Sequence, residues 1–194
     1  MSAEQEAGAP ASGPQKGSKQ MNTLEPAVME YAERYYEIIQ MGREFQREQG
    51  FTQWTENYPA LDTVREDIRA GKGCALMVDG RIAGYMCVDF DGEPAYRDIE
   101  GAWRGEGPYA VVHRMAFDSA FRGMGLADEA FRLVEELCER KKVAMIRVDT
   151  DFPNKRMQHI LRKNGYVNCG TIVFQGGAKL AYDKLLPPLC RGHA

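Results

Sequence analysis

The chain has 194 residues, 44% of them hydrophobic, enough for one buried core, and the length favours a single domain. A formal net charge of -3, with no long basic run, offers nothing for a phosphate backbone, so no nucleic-acid partner is expected. The cysteines are odd in number, lack a C-x-x-C pair and sit mostly in apolar runs, which suits free thiols in a reducing cytoplasm; with three scattered histidines they show no metal-ligand spacing, and no metal is expected.

Residues 1–20 contain no Leu, Ile, Val or aromatic and read as a disordered tail. They lack the apolar core of a signal peptide, and no later run reaches the roughly 18 apolar residues of a membrane span, so a soluble cytoplasmic protein with no membrane partner is expected. Residues 187–194 are expected as a flexible C-terminal tail, leaving 21–186 as the domain. From Pro26, the residues Val28, Tyr31, Tyr35, Ile38, Gly42 and Phe45 recur at threes and fours, which predicts an amphipathic helix ending near Gly50. A shorter helix fits Leu61, Val64 and Ile68, with Asp62 near its start and Gly71 at its close.

The period then changes. Cys74 to Val78 and Arg81 to Phe90 read as two strands joined by Asp79-Gly80, a dipeptide suited to a two-residue hairpin. Residues 91–108 hold several glycines and prolines together with Tyr96 and Trp103, and read as a long functional loop. Val111 to Phe117 is a strand. Leu126 to Lys141 is an amphipathic helix with Ala127, Ala130, Phe131, Val134, Leu137 and Cys138 inward. A strand at Met145 to Thr150, a helix from Pro153 or Asn154 to Lys163, and strands near 166–174 and 178–184 complete the order. No internal repeat occurs.

The stretch that carries chemistry runs from the strand His113-Arg114-Met115-Ala116-Phe117 to Arg122-Gly123-Met124-Gly125-Leu126-Ala127, which opens the helix. Unpaired amides at a helix start, glycines that let a ligand approach the backbone, and the Arg122 guanidinium together suit an anion such as a diphosphate. A tight turn alone would use the same glycines. A Walker loop is excluded, because Leu126-Ala127 stand where Lys-Ser/Thr is required. A dinucleotide fingerprint comes closer, with Asp149 near the position of a ribose-binding acid, but Asp128 replaces its third glycine and a hairpin precedes it.

Arg122, Gly125 and Ala127 match the R-x-x-G-x-[GA] signature of the GNAT acetyltransferases, and the order of elements from Cys74 to Tyr182 resembles that family too. The resemblance implies an α/β fold with a mixed, mostly antiparallel sheet split by one splayed parallel pair. It also implies direct acetyl transfer from acetyl-CoA to a primary amine. The pantetheine arm would lie along Met115, Ala116 and Phe117, the diphosphate on Arg122, Gly123, Met124, Gly125, Leu126 and Ala127, and Asn154 would contact the cofactor. Family members place a tyrosine, which protonates the leaving thiolate, where this chain has Leu161. Tyr109, Tyr166, His113 or solvent remain as sources of that proton. One cation among Lys155, Arg156, Arg162 and Lys163 would suit the 3′-phosphate.

Neutralising a lysine-like ammonium at pH 7 costs about 4.6 kcal/mol, so a base should help. His113, whose unperturbed pKa lies near 6.5, is the first choice for that base, and a half-buried strand histidine with one structural hydrogen bond is the competing reading. Asp149 would orient it or bind the ammonium, or else pair with Arg114 or Arg147. No cysteine lies in the cofactor segment, so a covalent enzyme intermediate is not expected. Gln53-Trp54 and the loop bearing Tyr96 and Trp103 are the expected acceptor contacts. Glu93, Asp98, Glu100 and Glu106 outnumber Arg97 and Arg104 in that loop, which leans toward a cationic amine. A free amino acid, a polyamine, an aminoglycoside and a protein N-terminus stay open, as does oligomeric state. A non-catalytic acyl-CoA sensor and a dinucleotide-binding protein are the alternative functions.

Overall fold

The computed structural model describes residues 21–187. The tail expected over 1–20 and all but the first residue of that expected over 187–194 lie outside them. In chain order the elements are β1 (Asn22–Pro26), α1 (Ala32–Glu48), α2 (Leu61–Arg69), β2 (Gly73–Val78), β3 (Arg81–Asp89), β4 (Glu100–Gly101), β5 (Ala110–Phe117), α3 (Leu126–Lys141), β6 (Met145–Thr150), α4 (Lys155–Lys163), β7 (Val167–Phe174) and β8 (Gly177–Leu185). The strands form one sheet in the order β1-β2-β3-β5-β6-β8-β7-β4, with β5 and β6 parallel and the other neighbours antiparallel. A doubly wound dinucleotide fold needs repeated parallel strands, so this topology removes that alternative.

Strand alternation sorts the core into two layers. Along β2, Cys74, Leu76 and Val78 join the cluster built with Leu126, Phe131 and Val134 of α3 and Leu161 of α4. Ala75 and Met77 face the other way, against Tyr35, Ile38 and Ile39 of α1 and Val64 of α2. The predicted hairpin forms as expected, with Asp79 at φ 47 and Gly80 at φ 76, the paired positive values of a type I′ turn. Among the described residues no helix is long and apolar enough to cross a membrane.

The first predicted helix begins later than its apolar period suggests. Asn22–Pro26 is an edge strand on β2, and Val28 and Tyr31 are exposed by 46% and 45%. Pro26 is at home there, because an edge strand does not need its missing N–H. The helix proper starts at Ala32 and turns Tyr35, Ile38 and Ile39 inward.

Gly42 sits on that inward face for a packing reason. A Cβ at this position would meet the Trp54 ring at 2.8 Å and the Ala116 Cβ at 3.1 Å, so α1 rests directly on β5 through its missing side chain. Gly42→Val should therefore destabilise the protein by about 1–3 kcal/mol through overpacking. A denaturant midpoint equal to that of the parent would contradict this contact.

Candidate active site

β5 and β6 are paired only at Ala110 with Ile146 and Val111 with Arg147. Beyond Val111 the two strands part, and the backbone edge of β5 from Val112 to Phe117 has no strand partner on the β6 side. The parting coincides with a bulge. His113 stands opposite Cys87 and Ala116 opposite Tyr85, so Arg114 and Met115 share the space facing Met86. Arg114 has φ 56, a left-handed conformation that costs an L-residue roughly 1–2 kcal/mol.

The side chain of Arg114 holds the bulge in place. Its guanidinium donates to both Asp67 oxygens at 2.9 and 2.6 Å and to the Tyr58 hydroxyl at 2.8 Å, and Asp67 also accepts from the Tyr85 hydroxyl at 2.9 Å. Asp67 is buried and Arg114 mostly so. Because of the bulge, the consecutive residues His113, Arg114 and Met115 all line one small cavity, which strict alternation would forbid.

Two cavities meet along the open edge. The larger, about 530 Å³, runs from Met115, Ala116 and Phe117 past Arg122, Gly123 and Gly125 to Leu126 and Ala127, and is closed on the α4 side by Asn154, Lys155 and Arg156. The smaller, about 70 Å³, is lined by His113, Arg114, Asp149, Tyr58, Phe174 and Lys179 among others. Gln46, Trp54, Met115, Asn154 and Met157 line both.

The glycine turn is open to the larger cavity. Gly123 and Gly125 have φ 86 and φ 70, and a Cβ on either would meet nothing within 4 Å. Among the described residues the amides of Gly123, Gly125, Leu126 and Ala127 have no acceptor, while those of Met124 and Asp128 bond to Phe121 and Gly125 carbonyls. Free amides of this kind at the start of α3 suit an anion. Asp128, an unfavourable neighbour for an anion, also lines this cavity, but its carboxylate accepts from Lys163 at 2.5 Å and the Asn164 amide at 2.8 Å, which keep it below the usual range. At the mouth, Arg122 and Arg156 lie 5.0 and 5.2 Å from the centre of the same Phe45 ring.

Buried amides set the wall between the cavities. The Gln46 side-chain oxygen, on α1, accepts from the Gln53 and Trp54 amides at 3.1 and 2.9 Å. The Gln53 oxygen in turn accepts from Asn154 Nδ2 at 3.1 Å, and Asn154 Oδ1 caps α4 by accepting from the Met157 amide at 3.1 Å. Asn154 thus both starts its helix and ties it to the segment bearing Trp54.

In the smaller cavity His113 lies between two carboxylates: Nε2 is 3.6 Å from Glu93 Oε2 and Nδ1 is 3.8 Å from Asp149 Oδ2. Phe174 stacks on its ring at 5.5 Å. The His113 imidazole beside it draws the Glu93 carboxyl below its ordinary range, whereas burial pushes Asp149 up. Tyr96 donates its hydroxyl to Asp149 at 2.8 Å and, being buried beside that carboxylate, is itself held far above the usual phenol value. Arg147 does not pair with Asp149. It lies 4.2 Å from the Trp103 ring centre and 3.9 Å from that of Tyr109, and bonds the Gly105 carbonyl.

Sequence reasoning brought His113, Asp149, Trp54, Asn154 and the Met115–Phe117 and Arg122–Ala127 segments together, and all of these residues line one cavity or both except Met124, which is exposed and lines neither. Tyr96, Trp103 and Tyr109 line neither. Tyr96 is 1% exposed, and Trp103 donates its indole N–H to the Tyr96 carbonyl at 2.9 Å, so these rings support Asp149 from behind. Tyr109 receives the Glu93 amide at 3.2 Å on the same side. Tyr166 is packed in the core against Phe131, and Leu161 is fully buried there, so neither reaches a cavity. Cys87 is buried, its thiol pushed up to about 12, and lines neither cavity. Glu93, Gln46 and the Arg114–Asp67 pair escaped assignment, since only the fold brings residues so distant in sequence together. Among the described residues no group of His, Cys, Asp and Glu side chains could hold a metal ion.

A mostly antiparallel sheet whose one parallel pair splays beside a glycine turn and helix start is the architecture of several solved acetyltransferases. A GNAT-family acetyltransferase from Streptococcus agalactiae 2603 is 32% identical, covers 86% of this chain and 96% of its own, and superposes with a TM-score of 0.78. One from Listeria monocytogenes 4b F2365 is 19% identical over 85% of this chain and 95% of its own, with a TM-score of 0.69. The aminoglycoside acetyltransferase AAC(6′)-Ib, solved with coenzyme A and kanamycin, is 20% identical over 85% of this chain and 95% of its own, with a TM-score of 0.63. No curated protein matches the chain. Residues 28–166 match the acetyltransferase (GNAT) family, and the chain belongs to that family.

Asp149 supplies a test of the site's electrostatics. Its folded pKa lies above the ordinary value near 3.9, so its contribution to stability is full below that value and is lost as pH rises through the folded pKa. At neutral pH the buried charge therefore opposes folding. Asp149→Asn should melt at or above the parent temperature at neutral pH, with the difference shrinking as the pH is lowered. A variant that melts well below the parent at neutral pH would contradict the assignment.

Proposed function

We propose that the protein is an N-acetyltransferase that moves an acetyl group from acetyl-CoA directly to a primary amine. The observation that carries this reading is the junction of the two cavities. Met115 and Asn154 line both, so a chain lying along the open edge of β5 ends where His113 faces the smaller cavity. The free amides at Gly123, Gly125, Leu126 and Ala127 suit a diphosphate, and the unpaired edge from Met115 to Phe117 suits the amide groups of a pantetheine arm. When bound, acetyl-CoA supplies a thioester already activated toward an amine. The structures of AAC(6′)-Ib with both coenzyme A and kanamycin, and with acetyl-CoA and paromomycin, support a role for this fold in bringing the two together.

His113 acts as the base. Its separations of 3.6 and 3.8 Å from Glu93 and Asp149 exceed direct hydrogen bonds, which leaves an imidazole nitrogen open to a substrate ammonium. As the proton moves to His113, the two carboxylates stabilise the imidazolium. Transfer is direct, since no cysteine among the described residues lines either cavity. With Leu161 in the core and both tyrosine candidates away from the cavities, water entering the larger cavity delivers the proton to the departing thiolate. Leu161 is also the single observation that favours the alternative of an acyl-CoA sensor without turnover.

Gly125→Glu should abolish binding of acetyl-CoA in a calorimetric titration, because it forces a side chain into a left-handed position and sets a carboxylate among the amides. His113→Ala should lower kcat by about 10²–10⁴ and leave CoA affinity unchanged. Equal turnover by His113→Ala and the parent across the pH range would remove the base. Tight acetyl-CoA binding with no product from a broad amine panel would favour the sensor.

A further inference from the structure

We propose that the acceptor is an amine with no acidic group beside the reacting nitrogen, and that the smaller cavity rejects free α-amino acids by charge. The inference rests on reading that cavity as the acceptor site, and it follows from how each charge there is matched. Arg114 enters from the β5 bulge but is neutralised by Asp67, with its Nε and both terminal nitrogens already donating to Asp67 or Tyr58. Lys179 enters from β8 and is neutralised by Asp151. Glu93, behind His113, and Asp149, in the cavity wall, by contrast share His113 as their one close cationic partner among the described residues, with Arg114 and Lys179 acting on them only at longer range. One Glu93 oxygen takes the Ala95 amide and one Asp149 oxygen takes the Tyr96 hydroxyl, and both of these donors are neutral.

With His113 neutral, as a base must be, Asp149 in the wall and Glu93 behind His113 are two carboxylates without a direct cationic partner, and with His113 protonated one such charge remains. An ammonium entering this space offsets one of these charges. A carboxylate on the adjacent carbon cancels that gain, and among the described residues lining the cavity finds no cation that lacks a partner of its own. The volume of about 70 Å³ leaves little room for water to screen the repulsion. The other lining residues, Gln53, Gln175, Trp54 and Phe174 among them, are uncharged. Glu93 thus acts as a specificity-determining residue through its charge behind His113.

Three probes of matched shape separate charge from size: pentylamine, 2-aminohexanoate and 2-aminohexanamide. At neutral pH the amide and the plain amine should exceed the acid in kcat/KM by at least about tenfold. The same order should hold in calorimetric titrations of the three probes into protein saturated with CoA. Glu93→Gln, which keeps the oxygen that accepts from Ala95, should narrow the ratio of amide to acid several-fold. An acid that binds or reacts as well as the amide, or a ratio unmoved in Glu93→Gln, would overturn the inference while leaving amine acetylation intact. If no probe is acetylated although acetyl-CoA binds, the proposed function fails, and the binding order still decides the charge rule.

Discussion

The parting of β5 from β6 after two paired residues is the constraint on which the rest of the site depends. A sheet that stayed paired would bury the β5 edge in hydrogen bonds and leave no cleft. Here the edge opens where Arg114 takes a left-handed backbone, a conformation that persists only if the surroundings over-determine it. Asp67 from α2, Tyr58 from the loop before it and Tyr85 from β3 do so together. The bulge also aims His113 and Met115 at a common space, so one irregularity both leaves the β5 backbone edge open and turns His113 toward the smaller cavity.

Around that opening, polar groups that look dispersed in sequence act as struts. Gln46 fixes Gln53 and Trp54, and Gln53 fixes Asn154 at the start of α4, so the two sides of the cleft are joined by amide hydrogen bonds. Behind His113 the supports are aromatic. Tyr96 and Trp103 pack at 5.2 Å, Arg147 stacks on Trp103 and Tyr109, and Arg104 binds the fully buried Asp183 at 2.5 Å. The loop between β3 and β5 is therefore strapped to the sheet, with β4 paired to β7, and it serves to hold Asp149 and Glu93 against the imidazole.

Much of this was legible in the residues. The Asp79-Gly80 turn, the amphipathic α3 and the segment from Arg122 to Ala127 each announce themselves within a few positions, because turn chemistry, helical period and a helix-start cradle are local properties. The departures arise where distant partners decide. Asn22–Pro26 has too short an apolar pattern to read as a strand, and becomes one because β2 offers an open edge. Tyr96 and Trp103 look like exposed binding aromatics in a glycine-rich loop, yet Asp149 and Arg147 draw them inward. Tyr166 follows the glycine that ends α4 and carries a hydroxyl, but its ring is claimed by Phe131. The ion pair between Arg114 and Asp67 spans a sequence separation of 47, which no periodicity can report.

The central claim, that the parted edge of β5 and the glycine turn form one cofactor cleft, is tested most directly by amide hydrogen exchange with and without coenzyme A. The account predicts new protection confined to Val112–Phe117 and Gly123–Ala127, with β1 and β7 unaffected. Protection that falls elsewhere, or is absent at saturating coenzyme A, would contradict it.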